Sequence, residues 1–124
     1  MLTVFASNQG IMSVFGNPTI ITTDPMSSRG THAELTVNVH QMFAVGATGT
    51  PQIVVSLQGS NDGQVFQDIS GLSDVIVAAG PGAPLSAAVR SAYVRLSVMA
   101  VAQAGTPGDW QYAVFDAHVN FTEA

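Results

Sequence analysis

"AELTVNVHQMF", residues 33–43, decides the fold class. Leu35, Val37 and Val39 fall on one side of the chain, and Glu34, Thr36, Asn38 and His40 on the other. A period of two over this length describes a β-strand with one face in a core and one face outside. The same alternation recurs further along. "PQIVVSLQG" (51–59) directs Ile53, Val55 and Leu57 inward, and "AYVRLSVMAV" (92–101) directs Val94, Leu96 and Val98 inward. "WQYAVFDAHVNF" (110–121) puts Ala113, Phe115, Ala117, Val119 and Phe121 on one face and Asp116, His118 and Asn120 on the other. "PTIITT" (18–23) and "VFQDI" (65–69) are shorter strand candidates.

Clusters of Gly, Pro, Asn and Ser separate these runs: "SNQG", "GNP", "GATGTP", "GSNDG", "AAGPGAP" and "QAGTPGD". They punctuate the chain at intervals of roughly 10 to 20 residues, as in an all-β domain. No segment has a convincing helical period. The best helix candidate is "PLSAAVRSAYV" (84–94), where Pro84 could open a short turn. The expected fold is therefore an antiparallel β-sandwich or jelly roll of about eight strands, with little or no helix. Residues 19–124 are expected to form a single domain, and residues 1–18 an N-terminal arm or edge segment that could lie across a neighbour.

Two stretches echo one another. "ELTVNVHQMFAVGATGTPQIVVSLQG" (34–59) and "YVRLSVMAVAQAGTPGDWQYAVFDAHV" (93–119) each run strand, small-residue loop with Gly-Thr-Pro, strand. Proline is tolerated there because it precedes the ladder. They read as two similar long hairpins that contribute paired strands to the two sheets.

Composition excludes several functions. The 124 residues contain no cysteine, so disulfides, thiolate metal sites and a cysteine nucleophile are ruled out. Charged residues make up 9% of the chain, and its only cations are Arg29, Arg90 and Arg95, against eight carboxylates. A net charge of −5 argues against binding nucleic acid, where Lys and Arg must neutralise phosphates, and against an anionic membrane surface. The longest apolar runs, "VIVAA" (75–79) and "VMAVA" (98–102), fall far short of the roughly 20 residues of a spanning helix. "MLTVFASNQG" lacks the basic start and the apolar length of a signal peptide. Yet 47% of residues are hydrophobic and mean hydropathy is +0.34. A chain this apolar and this poor in charge is expected to bury surface against a partner or copies of itself.

Gly59-Ser60-Asn61-Asp62-Gly63 reads first as a tight turn: Asn and Asp bond the backbone two residues on, and Gly63 accepts positive φ. The less favoured alternative is a weak calcium site on Asp62 and Asp68, since no closing Glu of an EF-hand loop follows. His40 and His118 would approach Asp116 if their strands were neighbours, but no H-x-H or H-E-x-x-H spacing supports a metal centre. No G-x-S-x-G elbow and no phosphate-cradling glycine loop occurs, so no enzyme activity and no cofactor are expected. The candidates for ligand or interface contact are Trp110 and Tyr112, on the face opposite Phe115, together with Arg90 and Arg95.

The order of motifs resembles that of small phage structural proteins of the jelly-roll type. The matches are Arg29-Gly30, Gly49-Thr50-Pro51, Ser60-Asn61-Asp62-Gly63, Tyr93-Val94-Arg95-Leu96 and Gly105-Thr106-Pro107, over roughly residues 27–120. The chain departs from that pattern at Phe66, where a Trp often follows the Asp-Gly. The resemblance implies a capsid decoration, or cement, protein on the outer capsid surface of a bacteriophage virion. Its implied partners are the major capsid protein and copies of itself, as a homotrimer. It brings no catalytic residues. The alternatives are a carbohydrate-binding sandwich module, which would use Trp110 and Tyr112, and a tail or host-adhesion component.

Overall fold

The computed structural model describes residues 2–45, 51–102 and 109–123. These form nine strands: β1 (Leu2–Val14), β2 (Thr19–Thr22), β3 (Met26–Ser27), β4 (His32–Val45), β5 (Pro51–Ser60), β6 (Gln67–Ile76), β7 (Leu85–Ala88), β8 (Tyr93–Ala102) and β9 (Trp110–Thr122). No helix occurs among the described residues. One sheet runs β1-β9-β4-β7, and the other runs β2-β8-β5-β6 with the short β3 also on β8. Every pairing is antiparallel.

The order is that of a jelly roll. β1 pairs β9, β2 pairs β8, β4 pairs β7 and β5 pairs β6, so the chain closes as one nested hairpin. Successive nested pairs go to alternate sheets, which wraps the hairpin into a double-sheet barrel. Two contacts complete the sheets, β9 on β4 and β8 on β5.

That topology corrects the reading of two long hairpins. β4 and β5 lie in different sheets, as do β8 and β9. Each echoed unit crosses the sandwich, and its strands pair with strands of the other unit, β4 with β9 and β5 with β8. Both units have buried faces on both strands, and crossing lets all four faces meet in one core. The Gly-Thr-Pro loops themselves fall largely outside the described residues.

The core is made by the alternating positions. Leu35, Val37, Val39, Ile53, Val55, Leu57, Val94, Leu96, Val98, Ala113, Phe115, Ala117, Val119 and Phe121 are all buried between the sheets. Leu72 and Val89 close it from β6 and from just beyond β7. The helix candidate at 84–94 is a strand and a turn instead. Leu85 and Ala87 turn inward and Ser86 and Ala88 outward, and β7 pairs with the start of β4. Pairing at the open edge of β4 satisfies more backbone groups there than one isolated helical turn could.

The register of the first sheet slips on two of its strands. On β4 the register slips between Val39 and Gln41, which makes His40 the extra residue. On β1 it slips twice, between Val4 and Ala6 and between Ala6 and Gln9, and Asn8 within the second slip has a positive φ of 48°. After the β4 bulge the alternation inverts, so Phe43 faces outward opposite Tyr112.

Candidate functional site

The Ser-Asn-Asp-Gly stretch joins β5 to β6 and is a turn held by its own side chains. Asp62 Oδ1 accepts the backbone N–H groups of Gln64 (2.9 Å) and Val65 (3.0 Å) and the hydroxyl of Ser60 (2.8 Å). Ser60 Oγ accepts in turn from the N–H of Gly63 at 3.0 Å. Gly63 has φ of +77°, which a glycine adopts without strain. These bonds favour the ionised acid and lower the Asp62 pKa from 3.8 to about 2.

The turn forms one end of an open groove of about 690 Å³. One wall is the turn and the first half of β6, with Asp62, Gln67 and Asp68. The facing wall is the β7–β8 connection, with Arg90 and Ser91. The walls are tied where Asn61 Oδ1 accepts the N–H of Ala92 at 3.2 Å and where Ser91 packs against Gly59. A Cβ at position 59 would run into the Ser91 side chain, so the close approach requires glycine there. Sequence reading singled out Asp62, Asp68 and Arg90 separately. The fold lines one groove with all three.

Behind the groove a polar relay crosses the outer face of the second sheet. Arg95 Nε donates to Gln58 Oε1 at 2.9 Å, and Gln58 Nε2 donates to Asp68 Oδ1 at 2.9 Å. The Arg95 guanidinium lies 4.3 Å from the centre of the Phe66 ring, a cation–π contact. Phe66, where the chain departs from the phage pattern, is thus the residue that seats Arg95. Gln58 was missed in the sequence because a lone outward glutamine carries no signal of its own.

On the first sheet, Asp116 stands between the register slips of β1 and β4. Its Oδ1 accepts the Asn8 N–H at 2.6 Å and its Oδ2 lies 2.7 Å from His40 Nε2. An ionised carboxylate only accepts, so His40 carries the proton on Nε2. The Asn8 N–H first, and the His40 bond second, hold the Asp116 pKa below the ordinary value. β4 and β9 are indeed neighbours, but His118 sits opposite Thr36 and does not complete a ligand set. Among the described residues no three His, Asp or Glu side chains converge as metal ligands.

Trp110 and Tyr112 lie half-buried on the outer face of the same sheet. Phe43 stands against both, with ring centres 5.7 Å from Trp110 and 5.5 Å from Tyr112. Tyr112 also covers Gly10 of β1, where a Cβ would come within 2.5 Å of its hydroxyl oxygen. Exposed Met12 and Val14 continue this apolar face on β1, opposite Tyr112 and Trp110.

No protein-family model matches the chain, and no curated protein matches it. Solved structures do match in fold. One is the structure of infectious bursal disease virus Gx strain, with TM-score 0.53 and 11% identity, covering 98% of this chain and 32% of that one. Another is the crystal structure of the infectious bursal disease virus VP2 subviral particle, with TM-score 0.54 and 8% identity, covering 98% of this chain and 32% of that one. The chain therefore spans about a third of the length of the solved chains it matches. At these identities the likeness is one of fold alone.

Proposed function

We propose that this chain is a non-enzymatic structural protein of a virus particle, a decoration protein that binds the major capsid protein on the outer capsid surface. The observation that carries this reading is the jelly-roll strand order, in a fold similar to that of the infectious bursal disease virus VP2 subviral particle. The phage origin rests on the motif resemblance alone, since the matched structures come from infectious bursal disease virus.

The surface supports the reading. Leu2, Val4, Met12, Val14 and Phe43 are exposed on the outside of one sheet, and Ile20 and Val75 on the outside of the other. On the second sheet Ile20, Met99, Val54 and Val75 line up across β2, β8, β5 and β6, because each is the register partner of the next. Apolar rows of this kind suit contacts with other subunits better than contact with water. The shortage of cations suits a position outside the shell, away from the genome.

Self-association as a homotrimer is part of the proposal, and light scattering of the purified protein tests it. The expected mass is three times the 12.8 kDa of one chain, unchanged by a chelator and by molar salt, because apolar contacts are not screened. A monomer at every concentration would contradict the trimer, and dissociation by chelator would point to a metal-linked contact instead.

A further inference from the structure

We propose that the groove between the β5–β6 turn and the β7–β8 connection binds a neutral saccharide that presents adjacent hydroxyl groups. This assignment is independent of the capsid role. It rests on what the groove's polar groups leave unused.

The fold occupies only one side of each fixed group. Asp62 spends Oδ1 on the turn and Asp68 spends Oδ1 on Gln58, while Oδ2 of each has no hydrogen bond among the described residues. Asn61 accepts from Ala92 through Oδ1, which leaves its amide N–H groups to donate. The side chains of Gln67, Ser70 and Arg90 line the groove and have no hydrogen bond or ion pair among the described residues. The Ser91 hydroxyl oxygen is buried at the wall and has no partner either. That hydroxyl is sealed against Gly59, so the groups a ligand can reach are those of Asn61, Gln67, Ser70 and Arg90 and the free carboxylate oxygens.

The mixture of groups selects the ligand class. A metal cation would find only two carboxylates and would be repelled by Arg90. A phosphate or other anion would be drawn to Arg90 but repelled by Asp62 and Asp68. A flat apolar ligand would meet only Val65, Ile69 and Ala88 amid polar walls. A zwitterion could match the charges, yet it would leave the neutral donors and acceptors of Asn61, Gln67 and Ser70 unmet. A sugar hydroxyl both donates and accepts. The Gln67 amide and the Arg90 guanidinium can each take two neighbouring hydroxyls side by side, while Asp62 and Asp68 each offer one free carboxylate oxygen and Asn61 its amide N–H groups. A volume of about 690 Å³ admits one or two sugar rings.

The test is nuclear magnetic resonance of ¹⁵N-labelled full-length protein. The backbone, the Asn61 and Gln67 side-chain amides and Arg90 Nε are followed during titration with the methyl glycosides of glucose, galactose, mannose and N-acetylglucosamine. Saturable shifts confined to the groove, with at least one glycoside, are expected at millimolar affinity. Glycine, titrated in parallel as the zwitterion probe, is expected to move nothing. Arg90→Ala and Gln67→Ala remove exposed side chains without partners, so both variants keep the wild-type spectrum elsewhere. Each is expected to weaken the binding by about tenfold through loss of its hydrogen bonds. No saturable shift with any glycoside would overturn the proposal. So would shifts at Trp110 and Tyr112 instead of the groove, a response to glycine alone, or unchanged affinity in both variants.

Discussion

Asp62 and Asp116 each hold a backbone irregularity in place, and both do so more strongly when ionised. Asp62 accepts three bonds inside its turn, and Asp116 bridges the bulges of β1 and β4 through Asn8 and His40. Their folded pKa values lie below the ordinary carboxylate value, Asp62 at about 2 against 3.8. The folded state thus binds fewer protons than the unfolded one as the medium turns acid. The stability that Asp62 supplies is present above about pH 4 and is lost as pH falls toward about 2, and that of Asp116 is likewise lost on acidification below the ordinary carboxylate value. Asp62→Asn is expected to lower the melting temperature at neutral pH and to flatten its decline over that acid window. Thermal melts monitored by circular dichroism from pH 7 to pH 2 check this. An unaltered acid limb in the variant would mean that the turn does not depend on the charge.

The strands themselves were legible in the sequence because their alternation is a local property. Leu35, Val37 and Val39, or Phe115, Ala117 and Val119, declare a buried face without knowledge of any partner. Bulges are not local in that sense. Nothing in "NVHQMF" marks His40 as the extra residue, since the slip depends on Asp116 of β9. The outward turn of Phe43 and its contact with Trp110 and Tyr112 were hidden for that reason. Phe43→Ala removes the ring that stands edge-on to Trp110. Trp110 is the only tryptophan, so its emission should move to the red while the melting temperature changes little. Unshifted emission would show that Phe43 does not shield the indole. Phe115, fully buried on the central strand β9, is a different matter. Phe115→Ala is expected to cost about 3–5 kcal/mol in denaturant unfolding, from lost burial and the cavity left behind.

At the scale of the molecule, the sandwich class followed from strand count and turn spacing, but the connectivity did not. Adjacent strands in an all-β chain form hairpins often enough that two echoed strand–loop–strand units read as hairpins. The sequence holds no signal that β4 and β5 part company, because both faces of that choice bury the same Leu, Ile and Val side chains. The groove was hidden by the same cause. Asp62, Asp68 and Arg90 are brought together by the β5–β6 turn folding back against the end of β7, a contact that pattern reading cannot see. What composition did convey was the character of the surface. Few charges, no lysine and a positive mean hydropathy match the exposed Leu2, Val4, Met12, Ile20 and Val75 of the folded chain.

The proposed decoration role is tested most directly by co-sedimentation of the purified protein with the capsids it is proposed to decorate, in 0.1 M and in 1 M salt. Saturable binding at a fixed number of copies per capsid, little weakened by salt, together with greater resistance of the capsid to heat, is the predicted result. Protein that stays in the supernatant with intact capsids at both salt concentrations would contradict that role.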